Sequence, residues 1–379
     1  MIDSNATLAE GLDKRFSSAE GLYGRFEDLP LVTQKGHYRR MAILEALPLG
    51  DLRDKVCVDF GTGSWGFAAI YPRLHDCRFA YGLDISNAAL ERAAEVSRQG
   101  QFPYQDRFQY LQSDGMDLPL PDGSVDLIFA GEAIEHMRLP QRFLSECHRI
   151  LRPGGQLILT TPNRDALLYR MHGDQYCVSP EHFWLFNAEE LHETVSEFFS
   201  VQECIGFNGS IYRDLDKSAN EVRPAEEWAA LFADRPEFST GLIMRAVKAN
   251  DQPVRRFQIQ PISRTSVLCN GQPQMLELDF GLKGMMINDP AVAFRFECPP
   301  CSGLVLYFWR HDWSGICSIH CGGEVVEQDL YSRDAGWKNV HCQFAEPASR
   351  TIEIRPTGKK DARSPGTEAI FFEAFTYSE

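Results

Sequence analysis

Val56-Cys57-Val58-Asp59-Phe60-Gly61-Thr62-Gly63-Ser64-Trp65-Gly66 decides the fold. An apolar run ends in an acid and passes at once into a glycine-rich turn. Strands buried on both faces read as continuous apolar runs, and a glycine turn at the carboxyl end lets a ligand approach the backbone. Farther on, Tyr81-Gly82-Leu83-Asp84-Ile85-Ser86 is a second strand ending in an acid. A carboxylate there accepts hydrogen bonds from both hydroxyls of a ribose. Together the two stretches imply a nucleoside-containing ligand.

Outward from this pair the chain alternates. Strand-like runs fall at Val56–Phe60, Phe79–Asp84, Phe108–Gln112, Val125–Ala130, Gln156–Thr161 and Phe199–Ile205, and Thr240–Val247 closes the first domain. Helix-like runs lie between them: Asn87–Arg98 with Asn87 as N-cap, Pro140–Leu151 stopped by Arg152-Pro153-Gly154-Gly155, and Ala188–Phe198 after Asn187. Upstream, Gln34–Glu45 reads as an amphipathic helix that stops near Pro48. Alternation of this kind predicts an α/β fold, a Rossmann-like doubly wound parallel sheet with helices on both faces.

The texture changes after residues 249–258, a polar stretch with Pro253, Arg255 and Arg256 that reads as a linker. Short strands then alternate apolar and polar residues: Met275–Leu278, Ala293–Phe296, Leu304–Phe308, Ile316–Ile319, Thr351–Ile354 and Ala369–Phe372. Gly, Pro, Asp and Ser separate them, which predicts an all-β sandwich. The expected division is 1–248, a linker at 249–258, and 259–379, and a chain of 379 residues is long enough for two cores.

Composition excludes some classes. A net charge of −15 argues against a dominant nucleic-acid role, because phosphate binding needs a basic face. No apolar run is long enough to span a bilayer, and Met1-Ile2-Asp3-Ser4-Asn5 lacks the features of a signal peptide. The expectation is a cytoplasmic chain whose 11 cysteines are mostly reduced thiols in apolar positions. Cys298-Pro299-Pro300-Cys301 with Cys317, Cys321 and Cys342 invites a zinc reading, but the spacing fits no compact zinc module. Cys317 and Cys321 share strand parity, which core packing also explains.

The spacing Gly61-x-Gly63-x-x-Gly66 taken alone fits a dinucleotide loop. Asp59, two residues before the first glycine, suits a ligand with an amino group instead of a phosphate. Tyr110-Leu111-Gln112-Ser113-Asp114-Gly115 ends a third strand in an acid suited to an adenine amino group. With Val125-Asp126-Leu127-Ile128 and Leu151-Arg152-Pro153-Gly154-Gly155 in order, residues 30–248 resemble the class I S-adenosylmethionine-dependent methyltransferases. The resemblance implies that Gly61 and Gly63 let the backbone approach the methionine part of that donor, and that Asp59 neighbours its ammonium group. It implies that Asp84 and Ile85 border the ribose, that Ser113, Asp114 and Gly115 border the adenine, and that Glu132 lines the donor site. Where the family usually carries a further glycine this chain has Trp65, which either walls the pocket or packs helix on sheet.

After the fourth strand comes Ala130-Gly131-Glu132-Ala133-Ile134-Glu135-His136. On a helix, positions three and four apart share a face, so Glu132, Glu135 and His136 are expected to converge at the carboxyl end of the sheet. With Ser179-Pro180-Glu181-His182-Phe183, this pattern resembles the methyltransferase branches that O-methylate ubiquinone precursors or the terminal 2′-hydroxyl of small RNAs. The resemblance implies a divalent cation, Mg2+ or Mn2+, on Glu132, Glu135, His136 and His182. Hydroxyl groups are poor nucleophiles that need a general base or a metal, and His136 is the candidate catalytic base. Mg2+ prefers oxygen ligands, so two imidazoles suit it poorly. Lys35, Tyr38 and Arg39 are either a cover for the donor carboxylate or an exposed charged face.

Near the end, Asp329-Leu330-Tyr331-Ser332, Gly336-Trp337 and Ile370-Phe371-Phe372-Glu373-Ala374-Phe375 resemble a galactose-binding-like jelly roll of the kind appended to carbohydrate-active enzymes. Trp309, Trp313 and Trp337 either stack on sugar faces or fill the sandwich core. The expected function is S-adenosylmethionine-dependent O-methylation of a hydroxyl acceptor, first a sugar of a glycan or glycolipid, then a quinone-like or other small metabolite. The alternative of another class is a non-catalytic carbohydrate-binding protein on a methyltransferase scaffold.

Overall fold

The structure, a computed structural model, describes residues 43–64, 66–69, 71, 76–99, 104–166, 181–207, 232–233, 236, 239–249, 257–278, 282–333 and 335–378. By their contacts these residues form two compact units. One holds the described residues of 43–166 and 185–249; the other holds 181–184 and those of 257–378.

The first unit is built on one eight-stranded sheet: β1 Val56–Phe60, β2 Phe79–Asp84, β3 Phe108–Gln112, β4 Val125–Gly131, β5 Leu151–Pro162, β6 Ser200–Phe207, β7 Phe232–Ala233 and β8 Gly241–Val247. The strand order is β3-β2-β1-β4-β5-β8-β6-β7. The strands from β3 to β5 are parallel. Contrary to a wholly parallel sheet, β8 runs antiparallel to both β5 and β6. It inserts between them, and antiparallel neighbours need no crossover connection.

Every residue of β1 and β4 is buried, as their unbroken apolar runs require of central strands. On one face Cys57, Leu127, Phe129 and Ile158 pack with Ile43, Leu44, Leu47 and Tyr71. On the other, Phe60 meets Phe143 at 4.7 Å between ring centroids. Burying each such side chain stabilises the fold by about 1.5–3 kcal/mol. The buried Asp126 at the start of β4 ties three strands together: it accepts from Val56 N at 2.8 Å and pairs with Arg152 at 2.9 Å.

Three described helices flank this sheet: α1 Asn87–Gln99, α2 Pro140–Ile150 and α3 Ala188–Ser196. The cap of α1 is Ser86, not Asn87. Ser86 Oγ accepts from Ala89 N at 3.0 Å, while Asn87 Nδ2 donates to Glu91 Oε1 on the surface. Proline opens α2, where its missing N–H costs nothing. Asn187 and Glu190 close a capping box on α3. Of the upstream amphipathic stretch only 43–45 are described; they are helical, as is residue 46. Lys35, Tyr38 and Arg39 lie outside the described residues.

The second unit is a sandwich of two antiparallel sheets. Its strands are β9 Gln258–Pro261, β10 Leu268–Cys269, β11 Gln274–Glu277, β12 Lys283–Ile287, β13 Phe294–Cys298, β14 Gly303–Arg310, β15 Ile316–Cys321, β16 Glu324–Asp329, β17 Gly336–Gln343, β18 Arg350–Pro356 and β19 Ala369–Ser378. One sheet runs β10-β13-β18-β15-β16; the other runs β11-β12-β19-β14-β17, with β9 on β19. Phe294, Phe296, Ile319, Ile352 and Ile354 of the first face Leu304, Leu306, Phe308 and Phe371 of the second. Strand β13 shows the period of two, with Phe294, Phe296 and Cys298 inward and Arg295 and Glu297 outward.

Strand β14 breaks that alternation because its outer face is covered as well. Phe183 lies 5.1 Å from Trp337 and 6.1 Å from Tyr307, and Tyr307 lies 5.9 Å from Phe375. Asn339 Nδ2 donates to the Phe183 carbonyl at 2.6 Å. Thus residues 181–184, distant in sequence, dock on the outside of this sheet. Trp309 and Trp337 belong to the same aromatic layer and are buried, whereas Trp313 is 52% exposed. Cys298, Cys301, Cys317 and Cys321 are core residues, with the Cys298 and Cys301 sulfurs 3.6 Å apart. Burial pushes the Cys317 thiol up to about 12.

Candidate active site

The carboxyl ends of β1, β2 and β4 meet around the glycine turn. Gly61 has a φ of +67°, a backbone conformation that favours glycine, and a Cβ there would make a tight contact 3.2 Å from Ala133 Cβ. Gly63 also has positive φ, at +56°. The turn thereby lies against Gly131 and Ala133 of the β4 loop. Trp65 falls outside the described residues.

Asp84, at the end of β2, fixes this turn. Its Oδ2 accepts from Gly63 N at 2.8 Å and its Oδ1 from Ser86 N at 3.0 Å. Thr62 N donates to Leu83 O at 3.1 Å, a second tie from the turn to β2. Asp59 is fully buried beneath the turn and accepts from Tyr71 Oη at 3.4 Å.

Beyond β3, Ser113 N donates to Asp84 O at 2.8 Å, which places the segment after β3 beside the acid that ends β2. Asp114 turns the chain by accepting from Met116 N at 2.9 Å. Gly115 takes a φ of +80°, and a Cβ there would stand 2.8 Å from Phe60 Cζ. Ile85 is half-buried, and its carbonyl accepts from Gln112 Nε2 at 2.9 Å. Asp59, Gly61, Gly63, Asp84, Ile85, Ser113, Asp114 and Gly115 therefore gather at the ends of three adjacent strands.

The β4 loop differs from the expected helix. Only Ile134–His136 form a turn of 3-10 helix, and Glu132 precedes it with a φ of +52°. The i, i+3, i+4 relation thus does not reach Glu132, and another device places the acids. Thr160 Oγ1 donates to Glu132 Oε1 at 2.8 Å, and Thr161 Oγ1 donates to Glu135 Oε2 at 3.0 Å. Consecutive residues of a strand point to opposite faces, so the two carboxylates are anchored on opposite faces of β5. Thr160 and Thr161 had no role assigned from sequence; a polar pair closing the apolar run of β5 was the signal. Glu135 is buried and His136 half-buried on the short turn, and His182 belongs by contact to the second unit. Glu135 and His136 offer ligand atoms close enough to share a metal ion, and Glu132 stands outside that group.

One observation fits a ligand at this turn: the Thr62 hydroxyl is buried in it without a hydrogen-bond partner. Buried polar groups of this kind call for a partner.

Residues 58–159 match the family described as a methyltransferase domain. A Mycobacterium tuberculosis protein named "Probable S-adenosylmethionine-dependent methyltransferase" is 37% identical over 150 residues, 37% of this chain and 53% of that protein. A Marinomonas malonyl-[acyl-carrier protein] O-methyltransferase is 28% identical over 182 residues, 48% of this chain and 60% of that protein. Among solved structures, an Aquifex aeolicus SAM dependent methyltransferase superimposes with a TM-score of 0.39 at 16% identity, over 56% of this chain and 89% of that one. The chain spans about half the length of the mycobacterial relatives it matches. Strand order and sequence match together give the first unit the fold of the class I S-adenosylmethionine-dependent methyltransferases, to which this chain adds an all-β unit.

Proposed function

We propose that the chain is an S-adenosylmethionine-dependent O-methyltransferase. One observation carries this: acids at the ends of β1, β2 and β3 surround a glycine turn whose backbone is braced by Asp84. Such an acid-rich cradle suits a ligand with a nucleoside at one end and a cationic amino acid at the other. Asp84 and Ile85 would hold the ribose, Ser113, Asp114 and Gly115 the adenine, and Asp59, Gly61, Gly63 and Glu132 the methionine part.

When bound, S-adenosylmethionine supplies a methyl group on a positively charged sulfur, open to direct in-line attack. This chain's part is to orient the acceptor hydroxyl and take its proton, and positioning of that kind supplies much of the rate. His136, half-buried on the turn after β4, is the proposed base. Oxygen as the accepting atom draws support from the relative named as an O-methyltransferase. For a Mg2+ or Mn2+ ion, Glu135 and His136 offer ligand atoms close enough to share it, and Glu132 stands outside that group. No step is routed through it.

For the acceptor we favour a sugar hydroxyl of a glycan or glycolipid over a quinone-like metabolite. What supports it is the β-sandwich with Trp313, 52% exposed; Trp309 and Trp337 are spent on the aromatic layer. Transfer of labelled methyl to a panel of glycans and phenols tests the proposal. Label on a glycan, lost in Trp313→Ala, supports it; label on phenols alone removes the glycan. Full transfer by His136→Ala removes the base.

A further inference from the structure

We infer that Thr160 is a positioning residue for Glu132 in donor binding, which rests on the donor site proposed above. Glu132 stands in left-handed backbone, a conformation that side chains other than glycine rarely adopt. Such strain persists where the surroundings over-determine it, and it clusters at functional sites. Thr160 contributes to that determination from two sides. Glu132 N donates to Thr160 O at 2.8 Å and lies 3.1 Å from Thr160 Oγ1, while Thr160 Oγ1 donates to Glu132 Oε1 at 2.8 Å. Backbone and carboxylate are thus gripped by the same partner.

Sheet register tells which way the carboxylate is held. Asp59 pairs with Phe129, and Phe129 pairs with Ile158. Partners in parallel strands share a face, and Thr160, two residues after Ile158, shares it too. The Thr160 hydroxyl, and the Glu132 carboxylate bonded to it, therefore lie on the face of Asp59. Thr161 holds Glu135 on the other face, where Phe60 packs against α2. The consecutive threonines sort two acids three residues apart into different roles: Glu132 joins Asp59 in the donor cradle, and Glu135 braces the turn that carries His136.

Thr160→Val keeps the branched shape and removes the hydroxyl; Thr160→Ser keeps the hydroxyl. The test is calorimetric titration of the full chain with S-adenosylmethionine. Thr160→Val is expected to weaken binding roughly tenfold, the effect of one hydroxyl–carboxylate hydrogen bond, with Thr160→Ser near wild type. Glu132→Gln is expected to weaken binding as well, and combining it with Thr160→Val must add less than the sum of the two. Should Thr160→Val fail to fold, Glu132→Gln carries the test, and unchanged affinity there overturns the inference. Wild-type affinity in a folded Thr160→Val also overturns it, leaving the donor site standing. No binding by the wild type removes the donor site and this inference together.

Discussion

Replacing Asp84 by asparagine alters little in shape and much in chemistry. The carboxylate, 9% exposed, accepts Gly63 N–H at 2.8 Å and Ser86 N–H at 3.0 Å. Asparagine has one oxygen, so its amide NH2 must face one of those donors. A hydrogen bond to a charged group contributes about 1.5–3 kcal/mol, and leaving a buried donor unmet costs a similar amount, so a loss of about 3 kcal/mol is expected. For a unit of this size that corresponds to a fall of roughly 6–12 °C in melting temperature. The same substitution weakens the grip on the ribose, by about tenfold to a hundredfold in Kd if one charge-assisted hydrogen bond goes. Differential scanning fluorimetry and calorimetric titration with S-adenosylmethionine read the two effects separately. A lowered melting temperature with unchanged affinity would reduce Asp84 to a brace for the glycine turn. An unchanged melting temperature would mean that Asp84 does not hold the turn.

Glu132→Gly removes left-handed strain worth about 1–2 kcal/mol and loses the Thr160 hydrogen bond worth about 1 kcal/mol. Melting temperature should therefore hold or rise while donor affinity falls; a clear loss of stability would show that Glu132 is not strained. His148 is buried against Phe199, and burial, with the Lys248 charge adding to it, lowers its pKa to about 4 from an ordinary 6.5. The unfolded chain then binds the proton more readily, so stability from this group is full above pH ~6.5 and lost as pH falls toward ~4, by at most about 3 kcal/mol. His148→Phe should flatten that part of the melting profile, and an identical pH dependence in wild type and variant would refute the assignment. Cys317, buried and held up to about 12, should resist iodoacetamide at pH 8 in the folded chain and react in urea. Alkylation of Cys317 at equal rates in both states would contradict its place in the core.

β1 was legible to the residue because a central strand of a parallel sheet is apolar throughout; β2 and the edge strand β3, which carries Gln109 and Gln112, were legible from the acids at or just past their carboxyl ends, Asp84 and Asp114. The orientation of β8 was not legible: Gly241–Val247 is as apolar as a parallel strand, and only its neighbours fix direction. In the sandwich, β16 escaped notice because Val325 and Val326 are adjacent and both exposed, which breaks the alternation that marks a strand. At the site, the acids were visible as residue types. Their arrangement was not, since a helical period was assumed where Glu132 turns left-handed and the threonines of β5 do the placing.

Calorimetric titration of the full chain with S-adenosylmethionine bears most directly on the central claim. Saturable binding of one donor per chain, lost or much weakened in Asp84→Asn, is the expected result. Absence of both binding heat and any rise in melting temperature at millimolar donor would contradict it.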